Sequence, residues 1–136
     1  TDGTASNNTL DMVEEMRFAA LLPKGTRYNP EAINARTALR MATINGAKAL
    51  GIHHLTGSLE VGKRADLIVI HADASNMMHV YDEYSALVYA SNSKNIRFSM
   101  VNGKWIMRNR EIINIDKTGT MESMKQIVNC QIHNTK

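Results

Sequence analysis

Apolar residues recur at near-helical spacing from Asn8 to Leu22, with Leu10, Val13, Phe18 and Leu21 on one stripe. Asp11, Glu14 and Glu15 load the first turns with acid, which suits the positive end of a helix, and Asn8 is the expected cap. Pro23, Lys24 and Gly25 are expected to end this helix. Asn29 and Pro30 then open a second helical region, running from Glu31 to about Leu50. Its stripe is Ile33, Leu39, Met41, Ile44 and Leu50; Thr43 is a candidate internal cap and Gly51 a stop.

The period then changes. Gly57 to Gly62 reads as a short strand between glycine turns. Ala65 to His71 reads as a stronger one, and its apolar run Leu67 to Ile70 predicts burial on both faces. Residues 74–81 read as an irregular connection, and Tyr84 to Tyr89 as either a short helix or a strand. Ile96 to Val101 alternates like a strand. Asn102-Gly103 predicts a tight hairpin, because both central turn positions need positive φ. Lys104 to Met107 is the return strand, and Glu111 to Ile115 follows a turn at 108–110. Asp116 or Thr118 caps a last helix from Met121 to about His133, with Met121, Met124, Ile127, Val128 and Ile132 on one face. The chain thus divides into residues 1–51, 52–115 and 116–136. A module of about five strands leaves exposed sheet edges, which implies further polypeptide beside it.

Composition removes several classes of function. With 43% hydrophobic and 21% charged residues, the chain has the balance of a folded domain. No apolar run approaches the roughly 20 residues that span a bilayer, so no membrane partner is expected. The net charge of +3 is dispersed and aromatics are only 5%, which argues against a nucleic-acid surface. Cys130 is the only cysteine, so no intrachain disulfide forms; this fits a cytoplasmic protein. On a helix, Cys130 reads as a small apolar filler. The chain opens on polar Thr1 to Asn8, without an initiator Met or a basic start. No signal peptide is expected there, and the opening reads like the middle of something longer.

One residue near the start stands out for chemistry. As a bare Asp-Gly, Asp2-Gly3 is an ordinary turn. Its context is not ordinary. Thr1-Asp2-Gly3-Thr4-Ala5-Ser6-Asn7-Asn8, followed by Leu10-Asp11-Met12 and Glu14-Glu15-Met16, resembles the segment after the eighth barrel strand in the deaminase and chlorohydrolase branch of the amidohydrolase superfamily. Residues 37–51, 57–70, Leu87 to Ala90 and Val101 to Lys104 resemble further pieces of that branch in the same order. Within it, the chain most resembles 5′-methylthioadenosine/S-adenosylhomocysteine deaminases, with guanine deaminases and triazine hydrolases nearby.

The resemblance implies an α/β fragment: the last strand-end and helix of a (β/α)₈ barrel, the C-terminal half of a composite β-sandwich, and a terminal helix. Barrel enzymes of this kind place their catalytic groups at the C-terminal ends of strands. Asp2 matches the family's strand-eight aspartate, which contacts the metal and handles the proton of the attacking water. The metal implied is zinc, or another divalent ion such as iron, and it can lower the pKa of bound water from about 15.7 to about 7. Asn7 and Asn8 either support Asp2 or cap the first helix. The reaction implied is hydrolytic deamination of an aminopurine nucleoside or a related nitrogen heterocycle. A triazine-type hydrolase and a non-catalytic assembly segment are the alternatives.

The implied site also needs a His-x-His pair and two further histidines. His53, His54, His71, His79 and His133 do not form that pattern, and none is assigned to metal. A catalytic zinc keeps about three protein ligands. The expected partners are therefore the remainder of the enzyme, a small heterocyclic substrate and further copies in a homo-oligomer, and the chain alone is expected to be inactive.

Overall fold

The computed structural model describes residues 1–134, with side-chain surroundings described through Cys130. The helical part comprises α1 (Met12–Thr26), α2 (Ala35–Arg40), a π-helical turn at Met41–Asn45, α3 (Gly46–Ala49), α4 (Glu83–Ser85) and a second π-helical turn at Ala86–Ala90. The β part comprises β1 (Leu67–Ile70), β2 (Ile96–Val101), β3 (Lys104–Arg108) and β4 (Glu111–Ile112), followed by α5 (Lys117–Asn134). Among the described residues no helix is long and apolar enough to cross a membrane.

α1 starts later than its apolar stripe suggests. Its cap is Asp11 rather than Asn8: Asp11 Oδ1 accepts from the N–H groups of Val13 at 2.9 Å and Glu14 at 3.3 Å. Pro23 lies inside the helix instead of ending it. So close to the C-terminus, proline removes one backbone donor, while its own carbonyl still accepts from Arg27 N–H at 3.1 Å. The second helix also starts late. Asn34 is its cap, accepting from Thr37 N–H at 2.8 Å, while Asn29 closes a local turn on Glu31 N–H at 2.9 Å. Thr43 caps nothing: its hydroxyl donates back to the Leu39 carbonyl at 2.7 Å, within the π-helical turn.

The core sits where these helices meet. Ala20, Ala35, Ala38 and Val88 form one buried cluster, flanked by Ile33 and Tyr89. Three of the four are alanines, so α1, α2 and the second π-helical turn approach closely. Arg17 ties them together. Its Nε donates to the Val88 carbonyl at 3.2 Å and Nη2 donates to the Ser91 carbonyl, satisfying acceptors at the end of that turn.

The sheet is antiparallel in the order β1-β2-β3-β4. Asn102 and Gly103 adopt φ of 49° and 76°, the hairpin conformation their sequence predicts. Asp66 anchors this hairpin: its carboxylate accepts the Asn102 N–H at 2.6 Å and the Thr56 hydroxyl at 2.8 Å. These two bonds hold the Asp66 carboxyl below the usual aspartate range.

Two strand expectations fail. Residues 57–62 form turns, because Gly57 and Gly62 sit at φ of 90° and 92° and Glu60 is engaged locally by Ser58 and Lys63. Gly57 also has no room for a side chain: a Cβ there would lie 2.7 Å from Ala47 Cβ. The sheet therefore has four strands. The apolar run of β1 is not buried on both faces, since Ile68 is 50% and Val69 42% exposed. The helices pack chiefly on one another, and no residue of β1 to β4 is fully buried. The segment at 84–89, open to either reading, is helical. Asp116 lies just ahead of α5 and accepts the Gly119 N–H at 3.0 Å, and the helix begins four residues before Met121. Cys130 is exposed, so it fills no core. The side chains of Ile132 and His133 lie outside the described residues.

Candidate functional site

The loop before α1 carries Asp2. Asp2 takes a left-handed φ of 59°, and its Oδ1 accepts the N–H of Gly3 at 2.7 Å. The side chain is exposed. The loop is folded back by backbone bonds: the Gly3 carbonyl accepts from both Ser6 and Asn7 N–H at 3.0 Å. Two of the acidic residues at the start of α1 hold the loop down. Asn7 Nδ2 donates to Glu15 Oε1 at 3.1 Å and the Thr9 hydroxyl donates to Glu14 Oε2 at 3.1 Å. Sequence reasoning gave Glu14 and Glu15 only a dipole role. The spacing of Asn7 to Glu15 across a loop, eight residues, matches no helical contact rule, so nothing local announces the pair.

A carboxylate with one oxygen held by a backbone donor can offer its other oxygen to a cation or a proton. That makes Asp2 chemically suited to be one ligand of a divalent ion and a proton acceptor beside it. It is not a complete site. Among the described residues no group of three or more His, Cys, Asp or Glu side chains is placed to hold a metal ion. His53 and His54 meet edge to face, with ring centroids 6.0 Å apart, on the turn after α3. His71 follows β1, and His79 lies in the irregular connection before α4 at φ of 62°.

The described residues also line open surface grooves. One of about 510 Å³ runs along α5 against Met121, Met124 and Val128. Another of about 420 Å³ lies against Met77, His79, Tyr81 and Tyr89. Asp2 lines neither.

The profile of the Amidohydrolase family matches residues 1–106. The chain is 44% identical over 127 residues to a 5-methylthioadenosine/S-adenosylhomocysteine deaminase of Acetivibrio thermocellus, covering 93% of this chain and 30% of that protein. It is likewise 44% identical over 126 residues to a 5′-deoxyadenosine deaminase of Methanosarcina barkeri, covering 93% and 29%. Among solved structures it resembles a zinc-bound adenosine deaminase from Xanthomonas campestris, with TM-score 0.88 and 38% identity over 91% of this chain and 28% of that one. It also resembles a zinc-bound atrazine chlorohydrolase from Arthrobacter aurescens, with TM-score 0.84 and 29% identity over 93% and 28%. The chain spans under a third of the length of these relatives.

Proposed function

Because this chain belongs to the amidohydrolase family, we propose that it forms the C-terminal part of a metal-dependent hydrolase that removes an amino group from an aminopurine nucleoside. The observation that carries this reading is the 44% identity to two nucleoside deaminases over 126–127 residues, alongside a family match that begins at residue 1. Identity to the triazine hydrolases is lower, at 29%, which favours deamination over dechlorination.

In this reading Asp2 serves as one metal ligand and as the proton carrier. Its carboxylate takes the proton of the attacking water and delivers it to the departing ammonia. Bound zinc, the ion named for both solved relatives, supplies the acidified water at neutral pH. The remaining ligands come from the rest of the enzyme, which also covers the open faces of the sheet. In this reading residues 1–51 belong to the barrel end, 52–115 to a composite sandwich and 116–136 to a C-terminal helix. The free thiol of Cys130 suits a reducing cytoplasm.

A second reading, a non-catalytic assembly segment, has one observation in its favour: Asp2 is exposed and has no metal-binding cluster around it among the described residues. One experiment separates the two. In the full-length protein, Asp2→Asn should lower kcat for adenosine-type substrates by about 10³-fold or more, measured by ammonia release, because the side chain loses both ligand and proton roles. Unchanged turnover in that variant would leave the assembly reading standing.

A further inference from the structure

Asp2 sits between two carbonyls, and Asn7 holds both. On one side, Asn7 Nδ2 donates to the Thr1 carbonyl at 2.8 Å, fixing the plane of the Thr1–Asp2 peptide. On the other, the backbone N–H of Asn7 donates to the Gly3 carbonyl at 3.0 Å, two peptides further on. The second hydrogen of Nδ2 goes to Glu15 Oε1 at 3.1 Å, which fastens the loop to α1. The side-chain oxygen accepts the Thr9 N–H at 3.2 Å. The Thr1 carbonyl and the Glu15 carboxylate are both acceptors, so the amide nitrogen must face them.

Asp2 has φ of 59°, a left-handed conformation uncommon outside glycine, though aspartate tolerates it better than most side chains. The rotation that defines this φ starts from the peptide whose carbonyl Asn7 holds. Releasing that peptide frees Asp2 to leave the left-handed region and swings its carboxylate. Asn8, its neighbour, is exposed and makes no side-chain bond among the described residues. The role therefore belongs to Asn7 alone of the two asparagines.

We infer that Asn7 is a positioning residue for the reaction: its amide locks the Asp2 backbone through Thr1 and anchors that lock to helix α1 through Glu15. This rests on the reading of Asp2 as the catalytic carboxylate. A carboxylate displaced by about 1 Å can lose on the order of 100-fold in rate without altering substrate binding.

The test uses the full-length enzyme and five variants: Asn7→Ala, Asn7→Asp, Asn7→Asp with Glu15→Gln, Asn8→Ala and Asp2→Asn. Asn7→Ala should lower kcat by about 10- to 100-fold, with KM within about threefold, and with bound metal and melting temperature close to wild type. Asn7→Asp should be at least as impaired, because it loses both donors and faces Glu15 with like charge. Adding Glu15→Gln restores a donor between loop and helix and should recover part of kcat. Asn8→Ala should match wild type. Wild-type kcat in Asn7→Ala would overturn the inference. So would a loss of kcat that tracks a lower melting temperature and shows no recovery in the double variant. Asp2→Asn separates the two levels. If it is inactive while Asn7→Ala is fully active, only the positioning role fails. If it is fully active, the catalytic reading fails and this inference with it.

Discussion

The helical part and the β part of this chain solve the same problem differently. In the helical part, α1, α2 and the second π-helical turn bury one another's apolar atoms. Ala20 and Val88 are fully buried, and Ala35 and Ala38 nearly so. In the β part three antiparallel pairings join the strands, yet none of the residues of β1 to β4 is buried among the described residues. Phe98 and Trp105 pack with rings tilted at 59° and centroids 5.7 Å apart, and remain partly open. Hydrogen bonding sets the shape of a sheet, but burying a face is what stabilises it, since isolated antiparallel ribbons are marginal in water. The helical part carries its own core. The sheet has half of one.

The largest expected effect lies where the loop leading to β1 packs against the helical part. Gly57 packs against Ile44 and Ala47 at the start of the loop leading to β1. Gly57→Ala combines a positive φ with a 2.7 Å clash and should cost about 3 kcal/mol, read from urea unfolding. A loss below about 1 kcal/mol would mean that the loop lifts off freely and that the two parts are not pinned there.

Next come matched truncations in each part. In the isolated chain Val88→Ala should destabilise by about 2 kcal/mol, through lost burial plus a cavity. Val69→Ala, on a half-exposed strand position, should cost under about 0.5 kcal/mol there. In the full-length protein the Val69→Ala penalty should rise to about 1 kcal/mol, because a covering layer then buries it. Equal penalties in both settings would break the contrast and remove the need for a covering layer.

How much of this was legible follows the same divide. The Asn102-Gly103 hairpin was readable because two adjacent residues carry the whole conformational demand. The helix stripes were readable because each helix repeats its demand every turn. The strand expected at 57–62 was not excluded by its residues; it failed because no neighbour pairs with it and Gly57 is claimed by the helices. The true caps, Asp11 and Asn34, lost to Asn8 and Asn29 in the sequence because other cap-competent residues precede each helix: Asn7, Asn8 and Thr9 ahead of Asp11, and Asn29 ahead of Asn34. The motif around Asp2 pointed to the right family from sequence alone. The work of Asn7 did not show, since it depends on a helix position brought back by the loop.

A smaller, pH-dependent effect belongs to Asp66. Its carboxyl is lowered from the ordinary 3.8 by the Asn102 N–H and then by the Thr56 hydroxyl. A depressed carboxyl stabilises the fold above its ordinary value, and that contribution disappears as pH falls through the lowered one. Melting temperatures of wild type and Asp66→Asn should therefore differ near neutral pH and converge as pH falls well below the ordinary 3.8. A difference that stays constant down to the acid end would show that the Asp66 charge adds nothing to the hairpin anchor.

The smallest effect expected in the isolated chain concerns α5, the β part's own extension. Met121, Met124, Ile127 and Val128 are 46–55% exposed, so the helix offers an apolar face that nothing described here covers. Met124→Ser should change the stability of the isolated chain by less than about 0.5 kcal/mol, because the side chain loses little burial. In the full-length enzyme the same substitution discriminates. A penalty of about 1 kcal/mol or more there would mean that the covering layer inferred for the sheet also extends over α5. A penalty as small as in the isolated chain would confine that layer to the strands and leave this face to water. The pair of measurements thus fixes how far the missing half of the core reaches along the chain.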